Sequence, residues 1–355
     1  MSQLIGQGGY GCIFYPGFNC KGNYTSKTKN TVSKLQVKDF NAKNEILIGK
    51  KIILIPNFDL YFLPVISHCS INIAQLNSKY IDKCDIVSSD NSSYLLLKLP
   101  YIEHISFNEL FYESSKLKNK HLFLIYIESY EYLTISISKL VKEEILHFDI
   151  KEQNILYSVK YKNPILIDYG ISIPMDLLNK SNIKDYFYTY GPDYSLWSLE
   201  IHAINFLLHK NDIITMNDIN SMVEIYIENN HVLNVFSNNF KNNYSVMCKE
   251  FFSQFINKDK GLVITELLKF WRTWDLYSLS ILYIKLLNTI FSDGFIENKL
   301  INEFSKILLL NISPDPNKRL SVDNTLKKYR DLFFINEKLD NYLTLINNLN
   351  YTKSN

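Results

Sequence analysis

The rhythm of hydrophobic and polar positions changes near residue 100. Before it, short apolar runs alternate with stretches rich in Gly, Asn, Ser and Lys; after it, apolar residues recur every three or four positions over long segments. The first regime predicts strands. Leu4-Ile5 and Cys12-Ile13-Phe14-Tyr15 flank a Gly-rich turn, and Thr31–Val37, Phe62–Ile66 and Tyr94–Leu99 come after them. Residues 16–30 read as a loop, Asn41–Ile55 as a helix with Ile46, Leu47 and Ile48 at its centre, and Pro100 as the end of the last strand and a connection between lobes. The second regime predicts helices over Phe107–Ser114 and Leu122–Val141, from near Leu199, across about 215–260 and from Trp274, with a turn at Ser313-Pro314-Asp315-Pro316 and further helices to the end. Strands first and helices after, without regular alternation, predict an α+β fold. A strand-rich part would cover about residues 1–100 and a larger helical part 101–355, and 355 residues suit two packed lobes.

Composition narrows the classes. A hydrophobic content of 46% and a mean hydropathy of −0.09 indicate a folded chain. A net charge of +2 supplies no field toward nucleic acid, so no nucleic-acid partner is expected. Apolar runs such as Ile52–Ile55 fall far short of the roughly 20 residues of a membrane span. The segment Met1–Ile5 lacks the basic and long apolar stretches of a signal peptide. Five scattered cysteines without C-x-x-C spacing predict reduced thiols and a cytoplasmic setting. Basic residues are almost all Lys, which a coding bias toward A and T explains; Arg272, Arg319 and Arg330 stand out because a guanidinium fork cannot be copied by Lys.

Candidate chemistry lies in four places. Gly6-x-Gly8-x-x-Gly11 sits between two short strands, where glycines let backbone N–H groups approach phosphate; an ordinary Gly-rich hairpin reads the same way. Lys34 on the next strand and Glu45 on the next helix form a candidate pair, although Lys27, Lys29 and Lys38 compete for the lysine's place. His147-Phe148-Asp149-Ile150-Lys151-Glu152-Gln153-Asn154 precedes Asp168-Tyr169-Gly170, joined by apolar runs that predict a hairpin. Far downstream, Trp197-Ser198-Leu199-Glu200 and Asp315-Pro316-Asn317-Lys318-Arg319 offer a carboxylate and a guanidinium for a buried pair, and Asp275 opens an apolar helix.

These pieces resemble the catalytic elements of eukaryotic-type protein kinases with Ser/Thr-type loop chemistry: an H-x-D-x-K-x-x-N loop, a D-x-G turn, and the Glu and Arg of the A-P-E and D-P-x-x-R segments. The Gly-Gly-Tyr-Gly-Cys loop, Phe14-Tyr15-Pro16 and the His-Phe-Asp-Ile-Lys wording are similar to divergent kinases of large DNA viruses, which implies a host-cytoplasm or virion setting. The resemblance implies a bilobal fold that binds ATP and Mg²⁺. It assigns ATP contacts to Ile5, Gly6, Gly8, Gly9, Gly11, Ile13 and Lys34, with Glu45 as the partner of Lys34. It makes Asp149 the base for an acceptor hydroxyl and gives Lys151 the charge of the transferring group. Asn154 and Asp168 become the metal ligands, His147 a brace of the loop, and Asp275 an acceptor of hydrogen bonds from that loop.

The chain also departs from the pattern. Phe148 replaces the Arg that receives an activation-loop phosphate, which predicts activity without that phosphate. Tyr169 replaces the Phe of the D-F-G turn. Tyr190–Ser195 lacks the Thr of Ser/Thr kinases, which leaves the acceptor class open, while Lys151 favours Ser/Thr. Residues of about 203–268 lengthen the usual connection and read either as a docking element for a partner or as neutral drift. Two other functions remain: a small-molecule kinase of the aminoglycoside or choline type, opposed by Lys151 and Arg319, and a pseudokinase scaffold, opposed by the retained Lys34, Asp149, Asn154 and Asp168.

Overall fold

A computed structural model of the chain describes residues 2–9, 11–18, 20, 30–73, 76, 81–87, 93–113, 119–290 and 299–333. The N-terminal part is a five-stranded antiparallel sheet of order β1-β2-β3-β5-β4. Its strands are β1 (Gln3–Gly8), β2 (Gly11–Tyr15), β3 (Thr31–Val37), β4 (Ser67–Ile71) and β5 (Tyr94–Pro100). The two-residue side-chain period divides β5 between two cores: Tyr94 and Leu96 join Phe14 and Leu35 on one face, and Leu95, Leu97 and Leu99 join Ala42 and Val65 on the other. Helix α1 (Phe40–Ile52) covers the second face, starts at Asp39, whose side chain accepts from the Ala42 N–H, and stops three residues short of the expected end. Gly49 lets it approach the sheet, because a Cβ there would lie 2.7 Å from the Val65 carbonyl oxygen.

One strand is misplaced by the sequence pattern. Phe62–Ile66 is not a strand; the ladder begins at Ser67. Phe62 instead bridges to Leu166, and Leu63 N–H donates to the Leu166 carbonyl at 3.1 Å, so this stretch ties the sheet to the helical part. The expectation of reduced thiols is also corrected. Cys12 pairs with Cys84 and Cys20 with Cys69, each with Cα atoms 5.9 Å apart, and Cys248 is the free, buried thiol. The sheet brings together cysteines that are far apart in sequence, a pairing that spacing alone cannot reveal. Disulfides persist in oxidising surroundings, so the expectation of a reducing cytoplasm loses its basis.

The C-terminal part is mainly helical around one continuous core. After β6 (His104–Ser106) come α2 (Asn119–Lys142) and four short strands: β7 (Ile145–Leu146), β8 (Ile155–Ser158), β9 (Pro164–Leu166) and β10 (Ile173–Pro174). Then come α3 (Ile183–Tyr186), α4 (Leu199–His209), α5 (Met216–Asn229), α6 (Asn238–Ser253), α7 (Lys260–Leu268), α8 (Trp274–Ile290), α9 (Lys299–Asn311) and α10 (Val322–Phe333). The fold is α+β and bilobal in layout. Residues 147–154 form the loop between β7 and β8, and 167–172 the turn between β9 and β10, so two small sheets (β6-β8-β9 and β7-β10) hold the candidate chemistry at both ends. No helix among the described residues is long and apolar enough to cross a membrane.

Candidate active site

The sheet's register aims the first residues of the site. Ile13 on β2 faces Lys34 on β3, and Lys34 faces Leu97 on β5, so alternate positions from the Gly-rich hairpin share one face. That face roofs a cleft of about 630 Å³. The cleft brings together every predicted nucleotide contact, Ile5, Gly6, Gly8, Gly9, Gly11, Ile13 and Lys34, together with Glu45, and on its floor Asp149, Lys151, Asn154 and Asp168. Gly11 is required by the tight packing of β2 on β3: a Cβ would stand 2.9 Å from the Leu35 carbonyl oxygen. Sequence reading missed the apolar wall of Val32, Leu99, Ile102 and Leu156, whose apolar pattern signals burial but not which cavity they line.

Lys34 spans the two parts of the fold. Its Nζ lies 2.8 Å from Glu45 Oε2 and 2.9 Å from Asp168 Oδ1. Burial works against the Lys34 charge, but the two carboxylates outweigh it and its pKa is raised. For Glu45, burial dominates and lifts the carboxyl above its usual range. For Asp168, burial also pushes upward, yet Lys34 and the Gly170 N–H hold the carboxyl below the usual range. Asp168 adopts a left-handed backbone (φ 64°), a conformation costly for a non-glycine residue, which the Asp-Tyr-Gly turn sustains by its packing. Tyr169 is fully buried, and its extra hydroxyl is satisfied by the Leu166 carbonyl at 2.7 Å. Asn44, which sequence reading passed over, ties α1 to this turn through the carbonyls of Gly170 (3.0 Å) and Ser172 (2.7 Å).

The loop carrying Asp149 is braced from below. Asp275 Oδ2 accepts from His147 N–H at 2.7 Å and Oδ1 from Phe148 N–H at 2.9 Å. His147 Nδ1 accepts from Asp149 N–H at 3.3 Å while Nε2 faces the Ile167 carbonyl at 3.1 Å, which sets the ring proton on Nε2. The Asp149 carboxylate is held by Lys151 Nζ (2.8 Å) and Asn154 Nδ2 (2.7 Å), both at Oδ2. Asn154 also donates to the Asp149 carbonyl at 2.9 Å, so its amide nitrogen is committed to the loop. Phe148, again at positive φ (68°), stacks on Trp197 at 4.5 Å and meets Phe187 edge-on, and the Trp197 indole donates to the Phe148 carbonyl at 2.8 Å.

Downstream, Glu200 and Arg319 form a bidentate pair, Nη1–Oε1 2.6 Å and Nη2–Oε2 3.0 Å, with side chains 0% and 2% exposed. Among the described residues no cluster of three or more His, Cys, Asp or Glu side chains could hold a metal. A cation site would draw on mixed donors: Asp168, with its side chain 38% exposed, and the Asn154 side-chain Oδ1, which the amide nitrogen's contacts leave open.

No family model matches the chain. Over 79 residues, 22% of its length, the chain is 33% identical to a protein of Dictyostelium discoideum described as "Probable serine/threonine-protein kinase cdc7". The match covers 7% of that protein, so the likeness is local. It supports kinase-like chemistry and goes no further.

Proposed function

We propose that the chain is a protein kinase that transfers the γ-phosphoryl group of ATP to Ser or Thr hydroxyls of protein substrates, with Mg²⁺. The observation that carries this reading is the Lys34–Glu45–Asp168 contact across the cleft, with Asp149, Lys151 and Asn154 on the same floor. In the reaction, Lys34 holds phosphate oxygens and Glu45 holds Lys34. Asp149 orients the acceptor hydroxyl and takes its proton, and Lys151 stabilises charge on the group in transfer. The Asn154 side-chain Oδ1 and the Asp168 carboxylate fit Mg²⁺ as hard oxygen donors. Bound there, Mg²⁺ neutralises charge on the phosphate oxygens.

Independence from an activation-loop phosphate belongs to the same proposal. Phe148 is buried between Phe187 and Trp197, so an aromatic contact holds the segment where other kinases use an Arg and a phosphate.

The test incubates the purified full chain with radiolabelled ATP, Mg²⁺ and generic protein acceptors, with Asp149→Ala as control. Label on Ser or Thr of the acceptor, lost in Asp149→Ala and retained after phosphatase treatment of the enzyme, is expected. Label that survives in Asp149→Ala refutes the base assignment. Transfer only to an aminoglycoside or choline refutes the protein-kinase reading, and nucleotide binding without transfer indicates a scaffold.

A further inference from the structure

An ionised carboxylate offers about four lone-pair sites, two on each oxygen. At Asp149, Oδ2 accepts from Asn154 Nδ2 at 2.7 Å and lies 2.8 Å from the Lys151 ammonium as an ion pair. Oδ1 receives one donor, the Tyr194 hydroxyl at 3.3 Å. With Oδ2 turned to Asn154 and Lys151, the open side of Oδ1 is the one an acceptor hydroxyl can use. Without the phenol, the carboxylate could turn about its Oδ2 contacts and present either Oδ1 site, or neither, to the acceptor.

Tyr194 is itself fixed. Its N–H donates to the Gly191 carbonyl (3.0 Å), its own carbonyl accepts from Trp197 N–H (3.2 Å) and from His202 Nε2 (3.0 Å), and its ring packs edge-on against Trp197 at 5.2 Å. It is not among the residues that line the cleft, so it reaches Asp149 from the side of the substrate segment. Burial and the neighbouring Asp149 carboxylate keep its proton on well above the ordinary phenol range, so it stays a donor. This segment lacks the Thr of Ser/Thr kinases; a longer hydroxyl side chain from a nearby position reaches the same carboxylate.

We infer that Tyr194 is a positioning residue for the transfer reaction, a fixed hydroxyl donor that orients Asp149 so that a single Oδ1 lone pair faces the acceptor hydroxyl. The inference rests on the protein-kinase reading. The opposing role is that of a block or a self-acceptor, with the phenol standing in the substrate's place. The pinned backbone of Tyr194 and its position outside the cleft lining speak for the fixed donor.

The experiment compares wild type and Tyr194→Phe as full chains with Mg²⁺–ATP and a protein acceptor. Loss of one hydrogen bond to a charged group predicts a kcat lower by about 10- to 100-fold. KM for ATP should stay within about two-fold, because the phenol is not among the residues that line the cleft. A structural defect would instead lower the thermal midpoint or raise the ATP KM along with the fall in kcat. The thermal midpoint is expected to stay unchanged. An active wild type with an unaltered Tyr194→Phe rate overturns the inference alone. So does a higher rate in Tyr194→Phe, a collapse of its thermal midpoint, or phosphate found on Tyr194 of the wild type. A wild type that transfers nothing to any acceptor overturns the kinase reading and this inference with it.

Discussion

The Glu200–Arg319 pair makes a demanding prediction because both ends are removed from water. Arg319 donates both terminal nitrogens to Glu200, its Nε to the Ser313 carbonyl at 2.9 Å, and lies over the Tyr277 ring at 4.8 Å. Burial alone would lower the Arg319 pKa, but Glu200 outweighs it and the net shift is upward. At an effective dielectric of about 20, two charges about 4 Å apart attract by about 4 kcal/mol. Removing one partner forfeits that and strands the other charge, at a cost of about 3–5 kcal/mol. Removing both leaves no stranded charge, so Glu200→Gln/Arg319→Met should cost well under the sum of the single changes. Denaturant unfolding of the four proteins measures the coupling. Kinetics add a second readout: neither residue lines the cleft, so KM for the protein acceptor should rise more than KM for ATP. Single variants that lose less than about 1 kcal/mol, or a double variant that loses the full sum, would refute the claim that a buried ion pair locks the substrate segment.

His202 predicts a pH dependence of stability. It is fully buried, and burial depresses its pKa from 6.5 to about 4. The unfolded chain takes up a proton below about 6.5 and the folded one does not until about 4, so His202 lowers stability as pH falls through that window, by about 3 kcal/mol in all at 1.36 kcal/mol per unit. Thermal melts of His202→Gln should therefore fall less steeply than wild type between pH 6.5 and 4, and parallel curves would contradict the assignment. The disulfides predict a redox-dependent melt. They close loops of 72 and 49 residues, which chain entropy values at about 4 kcal/mol each, and less in sum because one loop lies inside the other. Thiol titration of the denatured, unreduced chain should count one cysteine, Cys248, and reduction should lower the thermal midpoint; five free thiols before reduction would dismiss both bonds.

How much of the molecule is legible in the chain depends on how locally each feature is encoded. Asp149, Lys151 and Asn154 lie within one short loop, and the apolar runs on either side determine where that loop emerges. Lys34 and Glu45 are legible because strand alternation and helix periodicity both place them facing inward, although Lys27, Lys29 and Lys38 compete; the structure gives Lys34 the two carboxylates, while Lys27 and Lys29 lie outside the described residues. Phe62–Ile66 misleads because a β-rich apolar run is equally suited to a connector whose side chains fill another core, as Phe62 does. The disulfides are illegible because pairing depends on sheet geometry. Tyr194 escapes notice because its role depends on a hydroxyl's reach and not on a fixed offset from Glu200.

The long segment between Glu200 and Asp275 is built into the core by its contacts. Helices α5 and α6 do not merely rest on the surface: their tyrosines enter the interior. Tyr226 contacts the Tyr277 hydroxyl on α8 and donates to the Ser195 carbonyl at 3.2 Å, inside the substrate segment one residue after Tyr194. Tyr244 meets the same Tyr277 hydroxyl at 3.1 Å and donates to the Ile312 carbonyl at 2.8 Å, at the end of α9. Tyr277 in turn carries the Arg319 guanidinium on its ring. The chain of hydroxyls therefore joins the added helices, the Glu200–Arg319 pair and the backbone beside Tyr194. Neutral drift has no reason to place the two buried phenols of this segment so that each finds a partner, since an unsatisfied buried hydroxyl costs about 1–3 kcal/mol. The backbone beside Tyr194 is thus supported by Tyr226 on α5, and Tyr277 is braced in turn by Tyr244 on α6.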